Sequence, residues 1–307
     1  LSPSISSSTP AAAPSVGLSA PERGRAPLLF SLFALYIIWG STYLAIRFAL
    51  EGGFPPLRMA GARYGLAGAV LYVVLRLRGA PHPSARQWLG GGVLGLLLLV
   101  LGNGSVVVAQ QWVSSGLVAL AVGSMPLWAA LFGGLFGQWP GRSERWGLVL
   151  GFCGLGLLNV GGSFGGNPWA AFALLLGPVS WAFGSVWSRR VPQAPGFMSS
   201  ATQMLVASGL FLAASAVKGE HLAHLPTTRA LVAFGYLVTF GSLVAFSAYG
   251  YLLRNARPSV AMSYAYVNPV VAVLLGVALA GEAMSPVGLL AMGAILGAVV
   301  LITRARG

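Results

Sequence analysis

The sequence predicts an all-α integral membrane protein, with ten transmembrane helices arranged as two inverted five-helix repeats. Three observations predict it. The chain of 307 residues is 56% hydrophobic and 7% charged, with a mean hydropathy of +0.80. A soluble domain carries about 25% charged residues, so most of this surface faces lipid. The apolar runs divide into segments of about 20 residues, the length that crosses a bilayer core. Landmarks also recur at one offset: Trp39 and Trp181 are 142 residues apart, Pro126 and Pro269 143, Gly151 and Gly293 142. A duplicated unit with an odd number of spans places its second copy upside down, an arrangement typical of transporters.

Residues 1–26 are rich in Ser, Pro and Ala and lack the basic start and apolar core of a signal peptide. They are expected to form a disordered cytoplasmic tail, and Leu at position 1 fits a trimmed or vector-derived start. The first repeat, 27–161, holds five spans. Span one (28–49) precedes Glu51. Span two (57–77) opens after Pro55 and closes on Arg76 and Arg78. Span three (88–109) follows Arg86, span four (114–136) closes at Gly137, and span five (145–161) follows Arg142. The second repeat, 168–303, holds the other five. Span six (168–188) stops at Arg189 and Arg190, and span seven (197–217) at Lys218. Span eight (230–252) lies between Arg229 and Arg254, span nine (258–279) opens at Pro258, and span ten (285–303) ends at Arg304. Charge is expensive inside the bilayer and Pro and Gly punctuate helix ends, so these residues set the boundaries.

Orientation follows from the basic residues. With the N-terminus in the cytoplasm, the inner segments carry Arg23, Arg25, Arg76, Arg78, Arg86, Arg142, Arg145, Arg189, Arg190, Arg254, Arg257, Arg304 and Arg306. That is most of the 18 Lys and Arg. The outer side keeps Arg47, Arg58, Arg63, Lys218 and Arg229. The positive-inside rule puts both termini in the cytoplasm, as an even number of spans requires. Trp88, Trp112, Trp139, Trp146 and Trp169 fall near predicted span ends, where indole rings anchor at the interface.

Several stretches are specific. W-G-S-T-Y-L-A-I-R opens the first repeat, and A-G-A-R-Y-G-L-A-G follows in span two. G-N-G lies in span three, S-W-A-F-G-S-V opens the second repeat, and S-Y-A-Y-V-N-P-V-V-A-V-L-L-G leads to A-G-E at the end of span nine. In these the chain resembles the EamA family of the drug/metabolite transporter superfamily, from about residue 28 to 303. The resemblance implies a bacterial inner-membrane exporter of amino acids, aromatic or other neutral ones, or related metabolites, working by alternating access. It leaves the substrate open.

Polar and helix-breaking residues inside spans are costly and need a reason. Trp39 and Trp181 lie away from span ends and read either as a stackable wall for a flat substrate or as helix packing. Asn103, between Gly102 and Gly104, lines a cavity or bonds another helix. Ser263, Tyr264, Tyr266 and Asn268 fall within two turns of span nine, and Tyr264 and Asn268 share a face. Ser124 is a weaker candidate of the same kind. Arg63 snorkels outward to the headgroups or attracts a carboxylate at the outer mouth. Gln110 and Gln111 are expected to be solvated. Pro126 and Pro269 each remove an amide donor, freeing carbonyls near Val122 and Ala265, and read as hinges for alternating access or as static kinks.

Other classes fit less well. The net charge of +13 is scattered between apolar runs, without the aromatic-rich basic patch of a nucleic-acid binder. There is no Asp, and Glu22, Glu51, Glu144, Glu220, Glu282 and all three His fall outside the membrane interior. No catalytic residue, metal site or cofactor is therefore expected. No phosphate-binding loop points to ATP, and no ring of charges points to a channel. An embedded proton relay is not expected either. A nucleotide-sugar or drug carrier of the same superfamily is the rival, although a phosphate-bearing cargo calls for more cavity arginines than Arg63. The lone Cys153 allows no internal disulfide. The small-residue pairs Gly147/Gly151 and Gly293/Gly297 are expected to pack spans five and ten internally, so a monomer is expected rather than a dimer. The partners are then a small-molecule substrate and membrane lipid.

Overall fold

The structure, a computed structural model, describes residues 25–112, 118, 121–158, 168–280 and 286–304. The tail expected over 1–26 lies almost wholly outside the described residues, and so does Glu282. Every regular element among the described residues is helical. In chain order, α1 is Arg25–Glu51, α2 Pro56–Leu77, α3 Ala85–Ala109, α4 Ala121–Leu135 and α5 Arg142–Leu158. Then α6 is Pro168–Trp187, α7 Met198–Val217, α8 Thr228–Asn255, α9 Tyr264–Ala280 and α10 Pro286–Arg304. A single turn, Pro258–Ala261, precedes α9. Five of these, α1, α2, α3, α7 and α8, are each long and apolar enough to cross a membrane.

The outward faces match a lipid solvent. Phe30 is 71% exposed, Leu77 82% and Val217 92%. In water such side chains would forfeit about 25 cal/mol for each Å² left uncovered; acyl chains cover them instead. Trp112, Trp139, Trp146 and Trp169 stand exposed near helix ends, where the ring can sit at the headgroups. Helix starts are capped locally. Ser84 and Gln87 form a reciprocal capping box at α3, and Thr227 accepts from Ala230 N at α8.

Most of the larger helix partnerships recur when five is added to each label. α2 packs on α7 and α5 on α10. α1 packs on α9 and α8, and its counterpart α6 packs on α4 and α3. α3 packs on α7, as α8 does on α2. The offset reaches the backbone as well: α3 and α8 each widen into π-helix, over Gly95–Asn103 and Leu237–Val244, segments that start 142 residues apart. Long π segments are rare and gather at functional sites. Each is bonded by the first helix of the opposite half. Ser180 Oγ on α6 donates to Leu97 O at 2.9 Å, and Trp39 Nε1 on α1 donates to Gly241 O at 3.1 Å.

Close approach depends on a few glycines. A Cβ at Gly147 would lie 2.7 Å from Ile302 Cγ1, and one at Gly154 2.9 Å from Ile295 Cγ1, so these two bring α5 onto α10. Gly151 instead faces the Tyr266 ring at 2.9 Å, and Gly293 has no neighbour within 4 Å. Carboxylates tie the two halves at both ends. Glu144, 3% exposed, pairs with Arg257 at 3.3 Å. Glu220 accepts from Arg58 N at 2.9 Å, at the N-terminus of α2 where the helix dipole favours an anion.

The two prolines sit differently. α4 breaks at Ser124, with Ser124 N bonded to Ala121 O at 3.1 Å and Leu127 N to Ser124 O at 3.0 Å, immediately before Pro126. In the second half the turn at Met262 and Ser263 comes well before Pro269, which lies inside α9. A further proline inside α6, Pro178, has no counterpart among the sequence candidates.

Candidate substrate site

Seven helices, α1, α2, α3, α4, α6, α8 and α9, meet around a central cavity with ≈ 560 Å³ of atom-free space. Only ≈ 50 Å³ of it accepts the centre of a water molecule. At about 10–15 Å³ per water that holds a few waters, so a larger ligand requires the walls to part.

Among the sequence candidates, Trp39, Arg63, Asn103, Trp181, Tyr264 and Asn268 line this cavity. Ser124 and Ser263 do not. Ser124 Oγ donates to Ala121 O and accepts from Trp128 Nε1 at 3.2 Å. Ser263 Oγ, fully buried, donates to Val260 O at 2.8 Å and accepts from Tyr36 Oη at 2.7 Å. Tyr266 turns away and donates to Leu148 O on α5 at 3.3 Å. Tyr264 and Asn268, one turn apart, both reach the cavity.

Trp39, Trp181 and Tyr264 form its floor, backed by the ring of Tyr249. Trp39 stands edge-on to Trp181, centroids 5.5 Å apart, and 4.7 Å from Tyr264; Tyr249 lies 5.2 Å from Trp39 and 5.5 Å from Trp181. Edge-to-face pairs of this kind add about 0.5–1.5 kcal/mol each beyond burial. Trp181 Nε1 donates to Tyr249 Oη at 2.8 Å, and Ser185 Oγ lies 2.6 Å from the same oxygen. Gly102 makes room for this wall, because a Cβ there would lie 2.7 Å from Trp181 Cε3. The repeated tryptophans thus meet face to edge between the halves.

The polar groups are few. Arg63 is 3% exposed, donates through Nε to Ser242 Oγ at 2.7 Å, and lies over the Tyr64 ring at 4.9 Å. It turns into the bundle rather than out to the headgroups, because the widened segment of α8 presents Ser242 and Gly241 to it. Among the described residues of the lining Arg63 is the one that is charged, and none is a carboxylate or an imidazole. Asn103 Oδ1 and Asn268 Oδ1 are buried with no hydrogen-bond partner among the described residues, although the Asn268 amide lies within hydrogen-bonding reach of the Tyr43 hydroxyl. Leaving such an acceptor unmet costs about 1–3 kcal/mol, and both border the cavity, where a ligand donor would relieve them. Gln110 was expected to be solvated, yet both of its side-chain amide atoms are buried, with no hydrogen-bond partner among the described residues. Gln111 is exposed and donates to Val108 O.

Sequence reasoning passed over Thr42, Tyr43, Tyr64, Met125 and Gly241, which also line the cavity. Two of them carried a signal. Tyr43 is one turn beyond Trp39 and so shares its face, and Tyr64 adjoins Arg63. Tyr249 and Gly241 lie in runs with no motif.

A bundle of apolar helices with recurring partnerships, closing on a small buried cavity, fits a membrane transporter. The chain belongs to the EamA-like transporter family, whose pattern matches it twice, over residues 27–160 and 168–304. It is 49% identical over 278 residues, 90% of both chains, to the uncharacterized inner membrane transporter YedA of Escherichia coli strain K12. It is 26% identical over 292 residues to a WAT1-related chloroplastic protein of Arabidopsis thaliana, covering 90% of this chain and 69% of that one. A protein of known crystal structure shares the fold with a TM-score of 0.75 at 22% identity, covering 91% of this chain and 98% of the other. The family and these named relatives place the chain within the drug/metabolite transporter superfamily, among transporters rather than enzymes.

Proposed function

We propose that this protein exports amino acids, aromatic or other neutral ones, or closely related zwitterionic metabolites across a bacterial inner membrane. The supporting observation is the pairing of one buried cation with two unmet acceptors around an aromatic floor. The Arg63 guanidinium takes the substrate carboxylate, as a charge-assisted bond in a dry site favours. Asn103 Oδ1 and Asn268 Oδ1 accept from its ammonium group. Trp39, Trp181 and Tyr264 hold its side chain. A zwitterion leaves the site with the charge it had when empty; a nucleotide sugar brings more negative charge than one guanidinium offsets.

In this reading the two family matches are inverted five-helix repeats, ten spans in all, with both termini cytoplasmic. The halves rock about the shared cavity to expose it to each side in turn, with Pro126 and Pro269 as hinges. None of the described residues lining the cavity is a carboxylate or an imidazole, which supports transport driven by the substrate gradient rather than by an embedded proton relay. Counterflow in proteoliposomes with labelled phenylalanine, tyrosine and leucine tests the substrate class. Movement of a sugar nucleotide or a cationic drug, with none of these amino acids moving, overturns it.

A further inference from the structure

A second cavity lies beyond the aromatic floor, with ≈ 360 Å³ of atom-free space between the ends of α6 and α8 and the start of α7. Phe246 lines both cavities, and Tyr249, bonded to Trp181, faces the second. The four-ring cluster therefore separates the two. Polar residues wall the far chamber, chiefly Arg189, Arg254, Gln193, Ser199, Ser200 and Gln203.

The amides are largely satisfied among themselves. Ser199 Oγ donates to Gln193 Oε1 at 2.6 Å, and Gln203 Nε2 donates to Ser199 Oγ at 2.9 Å. The positive charges are not offset. Arg189 donates to the carbonyls of Leu253, at 2.9 Å, and Ala256, which satisfy its N–H groups but leave its charge. Arg254 has no ion pair among the described residues. The described carboxylates are engaged elsewhere: Glu51 with Arg47, Glu220 with Lys218, Glu144 with Arg257. Ser200 Oγ, in a residue 1% exposed, has no hydrogen bond among the described residues. Arginines that serve only to orient a chain need contact with water. They do not need a walled chamber with a buried serine beside them.

We propose that this chamber is a docking subsite that receives the substrate carboxylate from the cytoplasm before the aromatic cluster opens. It rests on the reading of the central cavity as a site for a carboxylate-bearing substrate. Arg254 and Ser200 hold the carboxylate, the substrate's apolar part lies against Phe246 and Tyr249, and opening of the cluster passes the anion on to Arg63.

The test uses the full chain in nanodiscs of neutral phosphatidylcholine, with Cys153→Ser removing the native thiol and Ser199→Cys placing one in the chamber without touching the carboxylate-holding pair. A negatively charged methanethiosulfonate reagent should label it about tenfold faster than a positively charged one, as a cationic cleft concentrates anions. Arg254→Gln should bring the ratio towards one, and Arg254→Lys should keep it. Phenylalanine should slow the labelling and phenethylamine, which lacks the carboxylate, should not. Equal rates for the two reagents overturn the proposal. So does a preserved charge ratio without protection by phenylalanine, or protection that persists in Arg254→Gln. Loss of the anion preference on adding phosphatidylglycerol, with no protection by phenylalanine, assigns the chamber to a lipid headgroup and also overturns it. Failure of the central-site reading is separate: it appears as Arg63→Gln transporting normally, whatever the labelling ratio.

Discussion

Arg63→Gln tests the recognition chemistry directly. The substitution removes the one charge of the central cavity while keeping a side chain that can still reach Ser242. A hydrogen bond to a charged group contributes about 1.5–3 kcal/mol, and about 1.4 kcal/mol is a factor of ten. The KM for phenylalanine in proteoliposome counterflow should therefore rise by about 10–150-fold. Phenethylamine, without a carboxylate, should compete equally well against both proteins. Arg63→Lys keeps the charge but loses the planar fork, and should fall between the two. Size-exclusion profiles and thermal midpoints of the purified proteins separate lost binding from lost folding. An unchanged phenylalanine KM in a folded Arg63→Gln protein refutes the carboxylate role.

Further outcomes follow from neighbouring geometry. Asn103→Leu removes a buried, unmet acceptor, so counterflow should fall at least about tenfold while the thermal midpoint does not drop, because the lost group was costing stability. Gly102→Val places side-chain atoms where even a Cβ lies 2.7 Å from Trp181. Overpacking costs about 1–3 kcal/mol and should lower both the midpoint and transport. Trp181→Phe keeps a ring but loses the 2.8 Å bond to Tyr249, about 1 kcal/mol, and should raise substrate leak through the aromatic floor in liposome efflux assays. An imposed pH gradient should not drive accumulation, because none of the described residues lining the cavity is a carboxylate or an imidazole; accumulation that follows the gradient would contradict this.

The helical class was legible because lipid leaves so strong a compositional mark: a chain with 7% charge has no water-facing solution of this size. The repeat was legible through rare residues, Trp and Pro, whose coincidence at one offset stands out against an apolar background. The π segments were not, since Gly95–Asn103 and Leu237–Val244 read as ordinary apolar helix and their widening depends on bonds from Ser180 and Trp39 across the bundle. That omission explains why the snorkelling alternative for Arg63 does not hold. Counting turns from the span end put it within snorkelling distance, but the widened α8 offers Ser242 on the inner side. Asn103 and Asn268 were identifiable because an amide inside a span needs a reason. Ser263 met the same criterion, yet it answers to Tyr36 and Val260, partners far apart in sequence or hidden in its own turn.

Counterflow by the unaltered protein tests the central claim most directly. Proteoliposomes loaded with unlabelled phenylalanine should take up labelled phenylalanine transiently above equilibrium, with no pH gradient imposed, and unlabelled sugar nucleotide inside should not substitute. Uptake supported by the sugar nucleotide and by no amino acid would contradict a zwitterion held between Arg63 and the two asparagines.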